Sequence, residues 1–149
     1  MKERKITDEI SLIPYFENYE LTLTWYQNYD LCKQVDNIDY LYDEDRLIRM
    51  YNYLNCHGLC YYVEYKKNLI GDISLTDDNE ISIVIAKDFQ NLGIGKLCIK
   101  EIIKLAKELE RKEIKANIYS FNKQSQRAFT SVGFKRIDEE LYVYKIENL

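Results

Sequence analysis

Proline and histidine each occur once in this 149-residue chain, as Pro14 and His57, and glycine only five times. That scarcity leaves no Pro- or Gly-rich stretch to serve as a linker, so residues 1–149 read as one continuous domain. A single histidine argues against a histidine-built metal site. Cys56, His57 and Cys60 lie close together, but not at the spacing of the recurrent zinc frameworks, so no metal is expected. The four cysteines (Cys32, Cys56, Cys60 and Cys98) read as free thiols, with Cys98 a small core residue. No apolar run approaches the roughly 18 residues of a membrane span, so no membrane partner is expected. The start, Met1 to Lys5, is basic, but no apolar stretch of signal-peptide length follows. The expected location is therefore cytoplasmic.

Charge is unevenly spread. Residues 1–60 hold six Lys/Arg against eleven Asp/Glu, and residues 61–149 fifteen against fourteen. An acidic first half argues against nucleic acid as partner, because phosphate dominates that affinity. It suits a cationic small partner better.

The pattern of apolar residues gives a mixed α/β chain. Residues 10–13 read as a strand, and 17–29 as a helix with Leu21, Trp25 and Tyr29 at spacing four. The acidic, tyrosine-rich stretch from Asp36 to Asp45 reads as a loop. A helix is expected over 44–55. Leu59–Tyr65 and Ile70–Leu75 read as a hairpin turning at Asn68, and Ile81–Ile85 as a buried strand. The strongest helix is 94–110, with Cys98, Ile102, Leu105 and Leu109 in one stripe and Lys96, Lys100, Lys104 and Lys107 opposite. Ile114–Tyr119 is the next strand. Asn122 suits the N-cap of a helix running to Val132, with Gly133 as a left-handed C-terminal cap. Leu141–Ile146 is the last strand.

The chemistry-bearing segment is Gln90-Asn91-Leu92-Gly93-Ile94-Gly95. Two glycines before a helix allow a tight turn and leave no Cβ in a ligand's way. The helix's free N–H groups and positive dipole end then make a phosphate seat, with Lys96 beside it. A P-loop is excluded: Gln90 stands at its first glycine and Leu97 at its Ser/Thr. The dinucleotide fingerprint is a poor match, since Cys98 holds its third glycine position.

The remaining pattern, Gln-x-x-Gly-x-Gly, resembles the pyrophosphate loop of the GNAT acetyltransferase superfamily. The resemblance continues through Asn122-Lys123-Gln124-Ser125 and Phe129-Thr130-Ser131-Val132-Gly133-Phe134, one helix and one strand downstream. It covers roughly residues 61–146. Trp25-Tyr26-Gln27-Asn28 is weakly similar to the ribosomal-protein acetyltransferase branch.

The resemblance implies a mostly antiparallel central sheet with helices on both faces and a splayed parallel strand pair holding coenzyme A. Acetyl-CoA would be the cosubstrate, with residues 61–149 its half and residues 1–60 the acceptor half. The pantetheine arm would pair with Ile83, Val84 and Ile85, with a backbone N–H near Ile85 available to the thioester carbonyl. The pyrophosphate would rest on Gln90, Asn91, Gly93, Ile94, Gly95 and Lys96. Asn122 would bond the pantetheine, or serve only as a helix cap. Glu80 matches a glutamate many members use as base, its pKa raised by desolvation, though a solvated carboxylate beside the 77–79 turn fits equally. Asn117 stands where other members carry a glutamate. Phe129 replaces the usual tyrosine acid, so either another tyrosine serves, with Tyr119 and Tyr142 as candidates, or the thiolate leaves without help. The acceptor, a small cationic amine or a peptide N-terminus, would meet Trp25, Tyr26, Tyr29, Asp43 and Glu44, with Asp36, Asp39, Tyr40, Tyr42 and Asp45 nearby. A monomer or homodimer is expected. The alternative is a non-catalytic acetyl-CoA sensor on the same fold.

Overall fold

In the computed structural model, residues 1–146 are described. Two antiparallel sheets meet at one point. The larger runs β1 (Arg4–Lys5), β2 (Ile10–Pro14), β3 (Gly58–Tyr65), β4 (Asn68–Thr76), β5 (Ile81–Ile85). The smaller places β8 (Leu141–Lys145) between β6 (Glu113–Asn117) and β7 (Lys135–Arg136). One parallel bridge, Glu80 to Lys115, joins them, and the Lys115 N–H donates to the Asn79 carbonyl at 2.9 Å. Past that bridge β5 and β6 are not paired, so the strands splay. The sheet is mixed and mostly antiparallel, as expected.

Side chains alternate across a strand, and β3 shows which face is which. Cys60 and Tyr62 point into an aromatic core with Trp25, Tyr26, Tyr42 and Tyr51. That core lies under α1 (Tyr19–Trp25), α2 (Tyr29–Asp36) and α3 (Glu44–Cys56). Tyr61 and Val63 point into an aliphatic core with Ile73, Ile99, Ile102 and Phe134. It lies under α4 (Ile94–Glu108) and α5 (Lys123–Ser131). Of the expected α4 stripe Cys98, Ile102 and Leu105 are buried, with Ile99 and Ala106, whereas Leu109 is the C-cap beyond the last turn and 43% exposed. Each large side chain buried there stabilises the fold by roughly 1.5–3 kcal/mol.

Four local features differ from the sequence reading. The helix expected over 17–29 is two helices, because two asparagines cap separate starts. Asn18 Oδ1 accepts from the Leu21 N–H at 3.4 Å, and Asn28 Oδ1 from the Leu31 N–H at 3.0 Å. The second helix absorbs the chain to Asp36, which shortens the acidic loop. The β3–β4 turn is Lys66-Lys67, both left-handed, and Asn68 opens the next strand. Asn68 Nδ2 donates to the Lys66 carbonyl at 3.1 Å, which steadies that turn. Strand β1 was not foreseen. Its Arg4 bonds Glu101 at 3.0 Å and Glu108 at 2.6 Å, tying the chain's beginning to α4. Strand β7 was also not foreseen. Gly133 has φ +113°, as the expected cap requires. Among the described residues no helix is long and apolar enough to cross a membrane.

Candidate functional site

Where β5 and β6 separate, a cleft of about 180 Å³ opens. The β4–β5 ladder decides which backbone groups face it. The Ala86 N–H bonds the Ile70 carbonyl at 2.7 Å, and the Thr76 N–H bonds the Glu80 carbonyl at 2.9 Å. Alternation then turns the even-numbered residues of β5 toward β4 and Ile81, Ile83 and Ile85 toward the cleft. The Ile85 carbonyl accepts from Gln90 Nε2 at 2.9 Å. Ile83 keeps its amide and carbonyl on the open edge. Val84 is a correction to the expected trio: its backbone is spent on β4, so it offers the cleft only its side chain.

The loop after β5 turns through Asn91 (φ 64°) and Gly93 (φ 80°) into α4. Gly93 is the N-cap and no side chain bonds the first-turn N–H groups there. Nothing stands within 4 Å of a Cβ placed on Gly93, and one on Gly95 would touch only Ile83 Cδ1 at 3.7 Å. Gly93, Gly95 and exposed Lys96 thus border open space at a positive helix end, the kind of end that favours an anion, whereas Ile94 is 3% exposed and packs into the aliphatic core. Gln90 points inward instead, bonding Ile85 and Gln34 of α2 (3.1 Å). Asn122 Oδ1 caps α5 through the Ser125 N–H at 3.2 Å, and the residue also lines the cleft. Phe129 lines the cleft too, 3% exposed, with no proton to give. Among the described residues no Asp, Glu, Lys or Arg lines this cleft.

A second cleft, about 350 Å³, adjoins it. The two share Val35, Ser82, Val84, Asn117, Ile118 and Tyr119. The second is lined by four carboxylates, Asp36, Asp72, Glu80 and Glu140, and by no Lys or Arg. Glu80 is half-buried, and its Oε2 accepts from Asn117 Nδ2 at 2.7 Å. Glu140 Oε2 accepts from the Ser120 N–H at 2.6 Å and hydroxyl at 2.9 Å. Asp36 pairs with Arg46 at 3.1 Å and accepts from the Tyr42 hydroxyl. Asp72 is 2% exposed and accepts from Tyr26 at 2.7 Å and Tyr51 at 2.9 Å. Burial pushes its carboxyl up to about 6, against the lowering pull of those two phenols. Tyr119 sits at the junction of the clefts. Burial, then the nearby carboxylates Asp36 and Glu140, raise its phenol above the ordinary value, so it stays protonated at neutral pH.

Asn122 and the loop residues Gln90 and Gly95 thus line the first cleft, Glu80 the second, and Tyr119 both. Tyr142 lines neither: it is 4% exposed inside the aliphatic core. None of the five expected acceptor residues lines either cleft. Trp25 and Tyr26 are buried under the helices. Tyr29 is 63% exposed on the outside of α2. Asp43 caps α3 by accepting from the Arg46 N–H at 2.8 Å, and Glu44 follows in its acidic first turn. Of the wider acidic stretch, Asp36 and Tyr42 do reach the second cleft. Sequence reasoning missed Asp72, Glu140 and the α2 residues Leu31 and Gln34. Asp72 left one signal, the lone acid of its strand, set between Gly71 and Ile73.

The fold has close counterparts. A microcin self-immunity acetyltransferase in complex with acetyl-CoA and AMP superimposes with TM-score 0.76 at 17% identity, over 95% of each chain. Spermidine N-acetyltransferase from Vibrio cholerae, in complex with CoA and spermine, gives 0.74 at 19% identity, over 89% of this chain and 84% of that one. A Salmonella typhimurium acetyltransferase that modifies the N-terminal serine of a 50S ribosomal subunit protein gives 0.77 at 10% identity, over 98% and 100%. The sequence profile of the acetyltransferase (GNAT) family matches residues 20–134, and the chain belongs to that family.

Proposed function

We propose that this acetyltransferase moves the acetyl group of acetyl-CoA directly onto a primary amine, carried by a small cationic molecule or a peptide N-terminus. One observation carries the reading. A charge-free slot with an open strand edge and a helix-end anion seat runs into a carboxylate-lined cleft, and the two share six lining residues. Acetyl-CoA would lie in the first, with its pyrophosphate on Gly93–Lys96 and its pantetheine along Ile83. The amine would enter from the second. Related folds whose names include spermidine and a protein N-terminus support an amine acceptor.

Glu80 would take the amine's proton, directly or through a water. The neutral nitrogen then attacks the thioester carbonyl carbon, whose oxygen gains charge facing the β5 edge. The carbon–sulfur bond breaks, the thiolate takes the Tyr119 hydroxyl proton, and the surplus proton of the newly acylated nitrogen returns through water to the phenolate, leaving a neutral amide and free coenzyme A. Among the described residues neither cleft is lined by cysteine, and the attack is written as direct.

Phe129 in the cleft favours a second reading, an acetyl-CoA sensor without turnover. Thermal unfolding with acetyl-CoA, against NADH and ATP, tests the cofactor. A ligand at 100 times its Kd adds about 2.7 kcal/mol, a shift of roughly 5–10 °C. Thiol release on adding amines then separates enzyme from sensor. No shift with acetyl-CoA would sink both readings.

A further inference from the structure

The transfer steps above leave one buried acid of the second cleft unused. Asp72 sits in mid-β4, opposite Val84 of β5. Both of its hydrogen bonds, from Tyr26 and Tyr51, fall on Oδ2. Among the described residues no donor reaches Oδ1, although the side chain is 98% buried and lines the cleft. A buried carboxylate is costly unless a cation or full hydrogen bonding compensates it. The cleft wall supplies neither: it has no Lys or Arg, and the neighbouring Arg46 is already held by Asp36. Met50, Leu54 and Val84 supply apolar walls suited to methylenes, and the Tyr42 ring closes the side.

We propose that Asp72 docks a second, non-reacting ammonium of the acceptor, and that the acceptor is an aliphatic di- or polyamine without a carboxylate. The proposal rests on the acetyl-transfer reading and names its substrate class. The reacting nitrogen must be uncharged to attack the thioester, so it cannot also be the cation held at Asp72. Strands lie about 4.8 Å apart, which puts Asp72 one or two strand spacings from the cleft edge of β5. A short methylene chain spans that gap. Asp36, Glu80 and Glu140 repel any carboxylate on the acceptor, and no cation of the wall would receive one.

The test uses the full chain saturated with coenzyme A, titrated calorimetrically with putrescine, spermidine, butylamine and γ-aminobutyrate, alongside steady-state acetylation. In the unaltered protein, putrescine and spermidine bind at least tenfold more tightly than butylamine, and γ-aminobutyrate does not bind. Asp72→Asn keeps the shape and can still accept from both tyrosines. It should raise Kd and KM for the two polyamines about 10–100-fold, leave butylamine unchanged, and leave kcat within about threefold. Equal binding of putrescine and butylamine to the unaltered protein overturns the proposal without needing a variant. So does an unchanged polyamine Kd in Asp72→Asn, or a loss confined to kcat, which would make Asp72 a proton acceptor instead. Acetyl-CoA stabilisation with turnover only of monoamines overturns this inference and leaves the acetylation reading standing. Failure of acetyl-CoA to stabilise the protein removes that reading, while the titrations still report on Asp72 directly.

Discussion

The two clefts are built from opposite materials. The first has no charged side chain in its wall and offers backbone edges, glycines and a helix end. The second is walled by four carboxylates brought from α2, β4, the start of β5 and the segment before β8. A backbone-built site tolerates many side chains but depends on where glycine stands. A side-chain-built site depends on a few charges and on what holds them.

The largest effect should come at the border of the two. Glu80→Gln is expected to lower kcat about 10²–10⁴-fold with KM for acetyl-CoA nearly unchanged. An unaltered kcat in steady-state assays would remove Glu80 as the base. Next comes the backbone-built side. Gly95→Asp puts a negative charge in the anion seat without steric conflict, since its Cβ would meet only Ile83 at 3.7 Å. KM for acetyl-CoA should rise by about 10–100-fold with the unfolding midpoint held, because a like charge there opposes the pyrophosphate. If the midpoint collapses instead, the loop is structural and the contrast fails.

The acidic side predicts a pH effect on stability. The Asp72 carboxyl titrates near 6 in the fold against an ordinary 3.8. A folded value above the unfolded one means the folded state holds the proton more tightly. The favourable contribution is therefore present below pH 4 and is lost as pH rises toward 6. The neighbouring Tyr26, Tyr51, Cys60 and Tyr62 are all raised by burial and stay neutral over that window. Ionised Asp72 then costs the fold roughly 3 kcal/mol at neutral pH. Asp72→Asn should be the more stable protein in denaturant at pH 7.5, with the advantage gone at pH 4. Parallel pH profiles would contradict this.

The smallest effect lies away from both clefts. Gly133→Ala forces a side chain to φ +113°, and its Cβ would come within 2.9 Å of the Tyr144 ring. A loss of about 1–3 kcal/mol in chemical denaturation is expected, with kinetic constants unchanged.

The same contrast explains what the sequence disclosed. Much of the first cleft is encoded locally, in residues 81–95 and 122–134, where glycine and asparagine spacings translate directly into turns and caps, while its α2 wall of Leu31, Gln34 and Val35 comes from far away in the chain. The second is assembled from residues scattered between Val35 and Glu140, so that no one stretch of sequence announces it. Asp43 and Glu44 drew notice as a charge cluster, yet helix α3 uses them at its own start. Tyr142 shared an alternating pattern with Tyr144, and period-two spacing alone cannot tell a core face from a cleft face. Asp72 was the readable exception, a lone acid among Ile70, Gly71 and Ile73.

Helix α2 has a consequence for the order of events. Leu31, Gln34 and Val35 wall the first cleft, Val35 and Asp36 the second, and Gln34 bonds the loop residue Gln90. A cosubstrate that shifted this helix from the first cleft would also reset the wall of the second, and acetyl-CoA would then bind before the acceptor. Initial-velocity lines should therefore intersect rather than run parallel, with acetyl-CoA the leading reactant and free coenzyme A the last product to depart.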